Sequence, residues 1–167
     1  TKVKSPSDSR IRVDCKKFII CGGCDFRQVN NAWLKDWKLQ KLIQKTDSLN
    51  IQKKILPMTT SKKNSRRRAT FSAHFQNGQF NIGFISKFGE IVVDLQTCKI
   101  LEKDLLHLYR QLQYNLKKSI NKNIYFKIQI NLVHNGSDIV FDLPKGSYKE
   151  IFKIDNLISD LIPLNVL

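Results

Sequence analysis

Apolar and polar residues alternate from Ala69 onward. Ala69-Thr-Phe-Ser-Ala-His-Phe75 alternates, Asn77-Gly78 interrupts, and Phe80-Asn-Ile-Gly-Phe-Ile85 returns. Phe88-Gly89 interrupts again before Glu90-Ile-Val-Val-Asp-Leu95. A period of two sends successive side chains to opposite faces of a strand, and Asn-Gly is a strong hairpin signal. The stretch predicts a three-stranded antiparallel meander. Ile124–Val133 and Asp138–Leu143, separated by His134-Asn-Gly-Ser137, predict another antiparallel pair.

Between these strand patterns the period changes. Leu101, Leu105, Leu108, Leu112 and Leu116 recur at helical spacing and predict a helix over 101–120. Lys117 and Lys118 fall in its last turn, where cations suit the helix dipole. His107 lies on this helix and reads as a satisfied or exposed side chain rather than a ligand. A second helix is predicted over 30–49, capped by Asn30 or Asn31, with Trp33, Trp37, Leu39, Leu42 and Ile43 near helical spacing. The plain expectation for its two tryptophans is packing into a core. Its lysines form either a solvated or a phosphate-facing side. Ile51–Pro57 reads as a short strand, and Tyr148–Leu167 carries apolar residues near helical spacing. Together these elements predict an α+β fold: an antiparallel β-meander domain with two or three helices.

Composition narrows the class. A length of 167 residues suits one domain, or one plus a piece of another, and the 41% apolar share supports a packed core. Every apolar run is interrupted before it reaches membrane-spanning length, and residues 1–15 lack the apolar stretch of a signal peptide. The expectation is a cytoplasmic chain with no membrane partner.

The net charge of +15 favours a polyanion, chiefly nucleic acid, through phosphate neutralisation and counterion release. The cations also cluster. Lys62, Lys63, Arg66, Arg67 and Arg68 follow one another with no carboxylate nearby. Such crowding opposes a compact fold unless an anion relieves it, and guanidinium groups suit forked phosphate contacts. These five residues are candidate RNA or DNA contacts; a solvated loop is the alternative.

The cysteines supply the candidate chemistry. Three of the four lie in Cys15-Lys-Lys-Phe-Ile-Ile-Cys21-Gly-Gly-Cys24, and the fourth, Cys98, follows the third predicted strand. In a chain without secretory features, such cysteines are metal ligands or core residues more often than disulfides. Thiolates are soft ligands for zinc and for iron–sulfur iron, and Gly22-Gly23 lets the backbone turn tightly enough for two sulfurs to face one point. A structural zinc site usually has two close pairs or includes histidines. The three-plus-one arrangement of Cys15, Cys21, Cys24 and Cys98 suits a 4Fe–4S cluster better, with zinc as the alternative.

Cys15-x5-Cys21-Gly22-Gly23-Cys24 with the remote Cys98 resembles the iron–sulfur branch of the RNA uracil-5-methyltransferases, enzymes that make 5-methyluridine from S-adenosylmethionine in ribosomal or transfer RNA. Arg66-Arg67-Arg68-Ala69-Thr70-Phe71 is similar to the family's arginine-rich approach to its central β-domain. Gly83-Phe84…Val93-Asp94-Leu95…Cys98-Lys99-Ile100-Leu101 resembles its strand with the fourth cysteine, and Asn135-Gly136-Ser137-Asp138 its strand-pair turn. The resemblance implies that the four cysteines ligate one 4Fe–4S cluster. It implies that residues 1–14 are a linker or the exit of a TRAM-like oligonucleotide-binding barrel and that 15–29 is the cysteine loop. The helix 30–49 would then pack on a methyltransferase domain, and 50–167 would be the central RNA-handling domain. The sequence departs after Cys24: Phe26-Arg27-Gln28 stands where the family usually reads Leu or Trp, Gln, His.

The family's chemistry needs a glycine-rich S-adenosylmethionine loop, a nucleophilic cysteine and a carboxylate base. This sequence contains no Gly-x-Gly, and its four cysteines are those of the expected cluster. S-adenosylmethionine would therefore be bound only through a further domain. The expectation is an RNA-contacting portion of such an enzyme, truncated and inactive alone; a zinc-binding nucleic-acid adaptor is the alternative.

Overall fold

The computed structural model describes residues 3–49, 52, 54–89 and 92–147. Helix α1 spans Asn31–Asp47, and three strands follow: β1 (Arg68–Gln76), β2 (Gln79–Ile85) and β3 (Val92–Val93). Helix α2 (Lys103–Ser119) then leads to β4 (Ile124–Val133) and β5 (Gly136–Asp142). The strands form one antiparallel sheet in the order β3-β2-β1-β4-β5.

Local chemistry explains the hairpin. Asn77 and Gly78 both take positive φ, 51° and 75°, as a tight turn with the twist of a strand pair requires. The turn sets the register, with Phe75 opposite Phe80 and Ala73 opposite Ile82. The pairing of β4 with β1, from Arg68 opposite Asn131 to Phe75 opposite Ile124, joins the meander to the second hairpin. Alternation in each strand had implied the strands but not this long-range partnership.

The core lies on one face of the sheet. Phe71 and Ala73 of β1, Ile82 of β2, and Phe126, Ile128 and Ile130 of β4 are buried there. Leu105, Leu108, Tyr109, Leu112 and Leu116 form the buried stripe of α2 that covers them. Full burial of a leucine contributes roughly 1.5–3 kcal/mol, so this stripe is a main source of the fold's stability. The α+β architecture with an antiparallel sheet is therefore as predicted, with two helices among the described residues.

Several boundaries differ from expectation. The third strand covers only Val92–Val93; Asp94 and Leu95 leave the ladder, and Glu90 and Ile91 lie outside the described residues. Leu101 is not helical. It forms a parallel bridge with Arg66, and Glu102 is the N-cap of α2. The short strand expected at Ile51–Pro57 is absent from its described residues, because 52 and 54–57 have no ladder partner. The expected apolar helix at 148–167 lies outside the described residues.

The largest correction concerns α1. Its cap is as expected: the Asn30 side chain accepts a hydrogen bond from the Trp33 N–H at 2.8 Å. Its tryptophans, however, are not core residues, since no residue of α1 is buried. Trp33 and Trp37 stack on each other with centroids 6.1 Å apart, and Phe26 packs on Trp37 at 4.9 Å. The physical reason is that α2 already fills the apolar face of the sheet. Periodicity reveals an amphipathic helix but not which surface its apolar side meets.

Candidate metal centre

The cysteine loop is closed at its base. Arg10 and Val29 form an antiparallel bridge, the Ile11 N–H donates to the Gln28 carbonyl at 2.9 Å, and the Asn30 N–H donates to the Ser9 carbonyl at 2.8 Å. Residues 15–21 coil inside this closure, with the Cys21 N–H donating to the Lys17 carbonyl at 2.8 Å. The loop then crosses the end of β2. Cys21 bridges to Ser86, the Gly22 N–H donates to the Ile85 carbonyl at 3.0 Å, and the Lys87 N–H donates to the Ile20 carbonyl at 2.9 Å.

The two glycines are needed for this approach. A Cβ on Gly22 would stand 2.6 Å from the Ile85 carbonyl oxygen, and one on Gly23 would stand 2.6 Å from the Phe84 ring. Both distances are shorter than real Cβ contacts. The Gly-Gly pair thus lets the loop lie directly on the sheet, beyond allowing it to turn.

Cys98 arrives from the other side. Beyond β3 the chain turns, with the Cys98 N–H donating to the Leu95 carbonyl at 2.9 Å. Tyr109 holds the start of this turn from α2. Its hydroxyl accepts the Leu95 N–H at 3.1 Å and lies 2.8 Å from both the Ile82 carbonyl and Asp94 Oδ1, either of which can take its proton. Burial pushes the Tyr109 phenol far above its ordinary range, so it stays a neutral hydrogen-bonding strut.

All four cysteines are free thiols, and all four line one pocket. Phe18, Phe84, Leu95 and Ile100 supply apolar walls, and Arg27 and Lys99 supply cations. Cys21 is buried and accepts a hydrogen bond from the Gly23 N–H at Sγ, 3.4 Å away. Burial pushes the thiols of Cys21 and Cys24 above their ordinary range. The Gly23 N–H opposes that rise at Cys21, and Arg27 and Arg66 oppose it at Cys24. Among the described residues, no three His, Cys, Asp or Glu side chains are gathered into a ready-made site for a metal ion. The sulfurs share a cavity without closing on a single point.

Arg27 is the feature that sequence reasoning missed. It pairs with Asp14, holding that carboxyl below its usual range mainly through their hydrogen bond. Its Nε is buried and has no hydrogen-bond partner, as is Oε1 of the adjacent Gln28. These are the positions at which the sequence departs from the Gln-His expectation after Cys24. The departure was legible, but its placement of a cation on the wall of the sulfur cavity was not.

The five predicted nucleic-acid contacts are not all gathered at one place. Arg66 is tied to the Cys98 arm: its N–H donates to the Ile100 carbonyl and its carbonyl accepts the Glu102 N–H, both at 3.0 Å. Arg67 is engaged elsewhere. Its Nε and Nη2 donate to the Leu132 and Val133 carbonyls at 3.3 and 3.2 Å, and Glu102 lies 3.6 Å away. Arg68 opens β1 and is exposed. Lys62, Lys63 and Arg66 instead line an open depression beside the sulfur cavity, joined there by Arg12 and Lys99.

No family model matches the chain. Individual relatives do. It is 27% identical over 150 residues to the 23S rRNA (uracil(1939)-C(5))-methyltransferase RlmD of Shewanella piezotolerans, covering 87% of this chain and 34% of that protein. The corresponding enzyme of Pasteurella multocida is 28% identical over 142 residues, covering 83% and 32%. That of Vibrio cholerae is 31% identical over 108 residues, covering 62% and 24%. Over most of its length the chain is similar to part of these 23S rRNA (uracil-C5)-methyltransferases. It spans about a third of the length of the curated relatives it matches. The resemblance drawn from the cysteines and the arginine run thus agrees with similarity over most of the sequence.

Proposed function

We propose that this chain is the cluster-binding, RNA-contacting portion of an RNA uracil-5-methyltransferase. The observation that carries the reading is the gathering of Cys15, Cys21, Cys24 and Cys98 around one cavity, from two segments that are remote in sequence. The donor set fits a thiolate-held cluster. It has four sulfurs, a backbone N–H already directed at one of them, and two arginines that favour the thiolate of another. Arg27, which also lines the pocket, keeps its buried Nε without a hydrogen-bond partner. A 4Fe–4S cluster would be held by the four cysteines and would act as a staple joining the 11–28 loop to the turn after β3. The three-plus-one spacing of the thiols in the sequence favours a cluster over a single zinc ion.

On this reading the methyl transfer from S-adenosylmethionine to uracil C5 belongs to a further domain, and the present residues position RNA. Within these 167 residues there is no Gly-x-Gly for the cofactor and no fifth cysteine for the nucleophile. The isolated chain is expected to transfer no methyl group to RNA.

Anaerobic reconstitution with iron and sulfide tests the assignment. The expected product is brown, with a broad visible charge-transfer band and about four iron atoms per chain. A colourless protein that takes up one zinc and no sulfide would replace the cluster by the zinc alternative.

A further inference from the structure

The depression beside the sulfur cavity has a composition that the arginine run alone did not suggest. It is lined by Arg12 and Asp14 with residues 23–27. Residues 61–66 with Lys99 and Ile100 also line it, as do Asn31 and Leu34 of the first turn of α1. It opens broadly to solvent. Asp14 is paired with Arg27, so Asp25 is the one remaining carboxylate among the lining residues. Arg12, Lys62, Lys63, Arg66 and Lys99 therefore give the depression a strongly positive field, which attracts a phosphate backbone.

Phe26 adds an aromatic surface. It lines the same depression and is 37% exposed, while Trp37 packs against it. An aromatic ring backed in this way is a rigid platform for an unpaired base, whereas paired bases present no free face. A cationic groove with an aromatic side chain on its wall is the physical pattern of single-strand binding.

We propose that this depression is a track for single-stranded RNA, with phosphates held by Arg12, Lys63 and Lys99 and one base stacked on Phe26. The proposal rests on the reading of the chain as RNA-contacting and adds where, and in what strand state, RNA is held. Arg12 and Phe26 come from the cysteine loop and Lys99 follows Cys98, so both strands of protein that meet at the sulfur cavity also form the track.

The test is fluorescence anisotropy of the reconstituted chain with a labelled single-stranded oligouridine, titrated at several salt concentrations. The combined variant Arg12→Gln, Lys63→Gln, Lys99→Gln is expected to bind about tenfold or more weakly and to lose about 2 from the salt slope. Phe26→Leu, which keeps apolar bulk against Trp37, is expected to weaken binding about fivefold with the slope unchanged. A control with equal charge loss on α2 and β4, Lys103→Gln, Lys117→Gln, Lys127→Gln, is expected to bind nearly as the parent does. Failure of the parent chain to bind would overturn the RNA-contacting reading itself. Parent binding that is weakened equally by the groove and control variants, or displaced better by duplex than by single-stranded RNA, would overturn the track alone.

Discussion

Around α2 the chain is held by buried apolar surface; around the cysteines it is held mainly by backbone contacts. Leu105, Leu112 and Tyr109 are fully buried against the sheet, and their contacts need no added component. The cysteine loop has Cys21 as its one buried residue, while Ile19 and Ile20 are exposed. It is fastened at its base by the Arg10–Val29 bridge and at its tip by the glycine contact with β2. The difference teaches that the two regions answer to different perturbations. The sheet side should respond to lost volume, and the cysteine side to lost ligands.

The largest expected effect is on the sheet side. Leu112→Ala leaves a cavity in a fully enclosed site and is expected to cost about 3 kcal/mol in urea unfolding. The metal content per folded molecule should not change. A variant that loses metal at full folding would mean that the two regions are not separable.

Tyr109 connects them, and Tyr109→Phe comes next. Removing the hydroxyl leaves the Leu95 N–H and its opposite acceptors without this partner, at an expected cost of about 1–2 kcal/mol. Hydrogen exchange should quicken at the Leu95 amide, which leads into the Cys98 turn. Unchanged exchange there would remove Tyr109 from the support of the fourth cysteine.

The smallest effect is expected in α1, which contributes little to the core. Asn30→Ala removes the cap on Trp33 and should cost about 1 kcal/mol of helix stability. It should lower helical circular dichroism while leaving the midpoint for the sheet nearly unshifted. An equal fall in both would show that α1 is more tightly coupled to the core than its lack of buried residues implies.

What could be read in advance follows the range of the interactions. The β1–β2 hairpin and the α2 stripe were legible because local turn chemistry and local periodicity determine them. That Cys15, Cys21 and Cys24 share a pocket with Cys98 accords with ligand chemistry and family resemblance, although no gathered ligand set is found among the described residues. The β1–β4 pairing was not, because no local pattern names a distant partner strand. Nor was the role of Arg67: a run of five cations looks uniform in sequence, yet this one holds the carbonyls at the end of β4. Arg12 and Lys99 were missed for the converse reason, since each is isolated in sequence and meets the others only in the folded chain.

The central claim is that Cys98 completes a cluster with the three cysteines of the loop. Iron and acid-labile sulfide measured after anaerobic reconstitution of the parent chain and of Cys98→Ser test it most directly. The account predicts about four of each per parent chain and a near-complete loss of both in a Cys98→Ser protein that retains its sheet and α2. Full iron and sulfide in Cys98→Ser, or none in the parent, would contradict it.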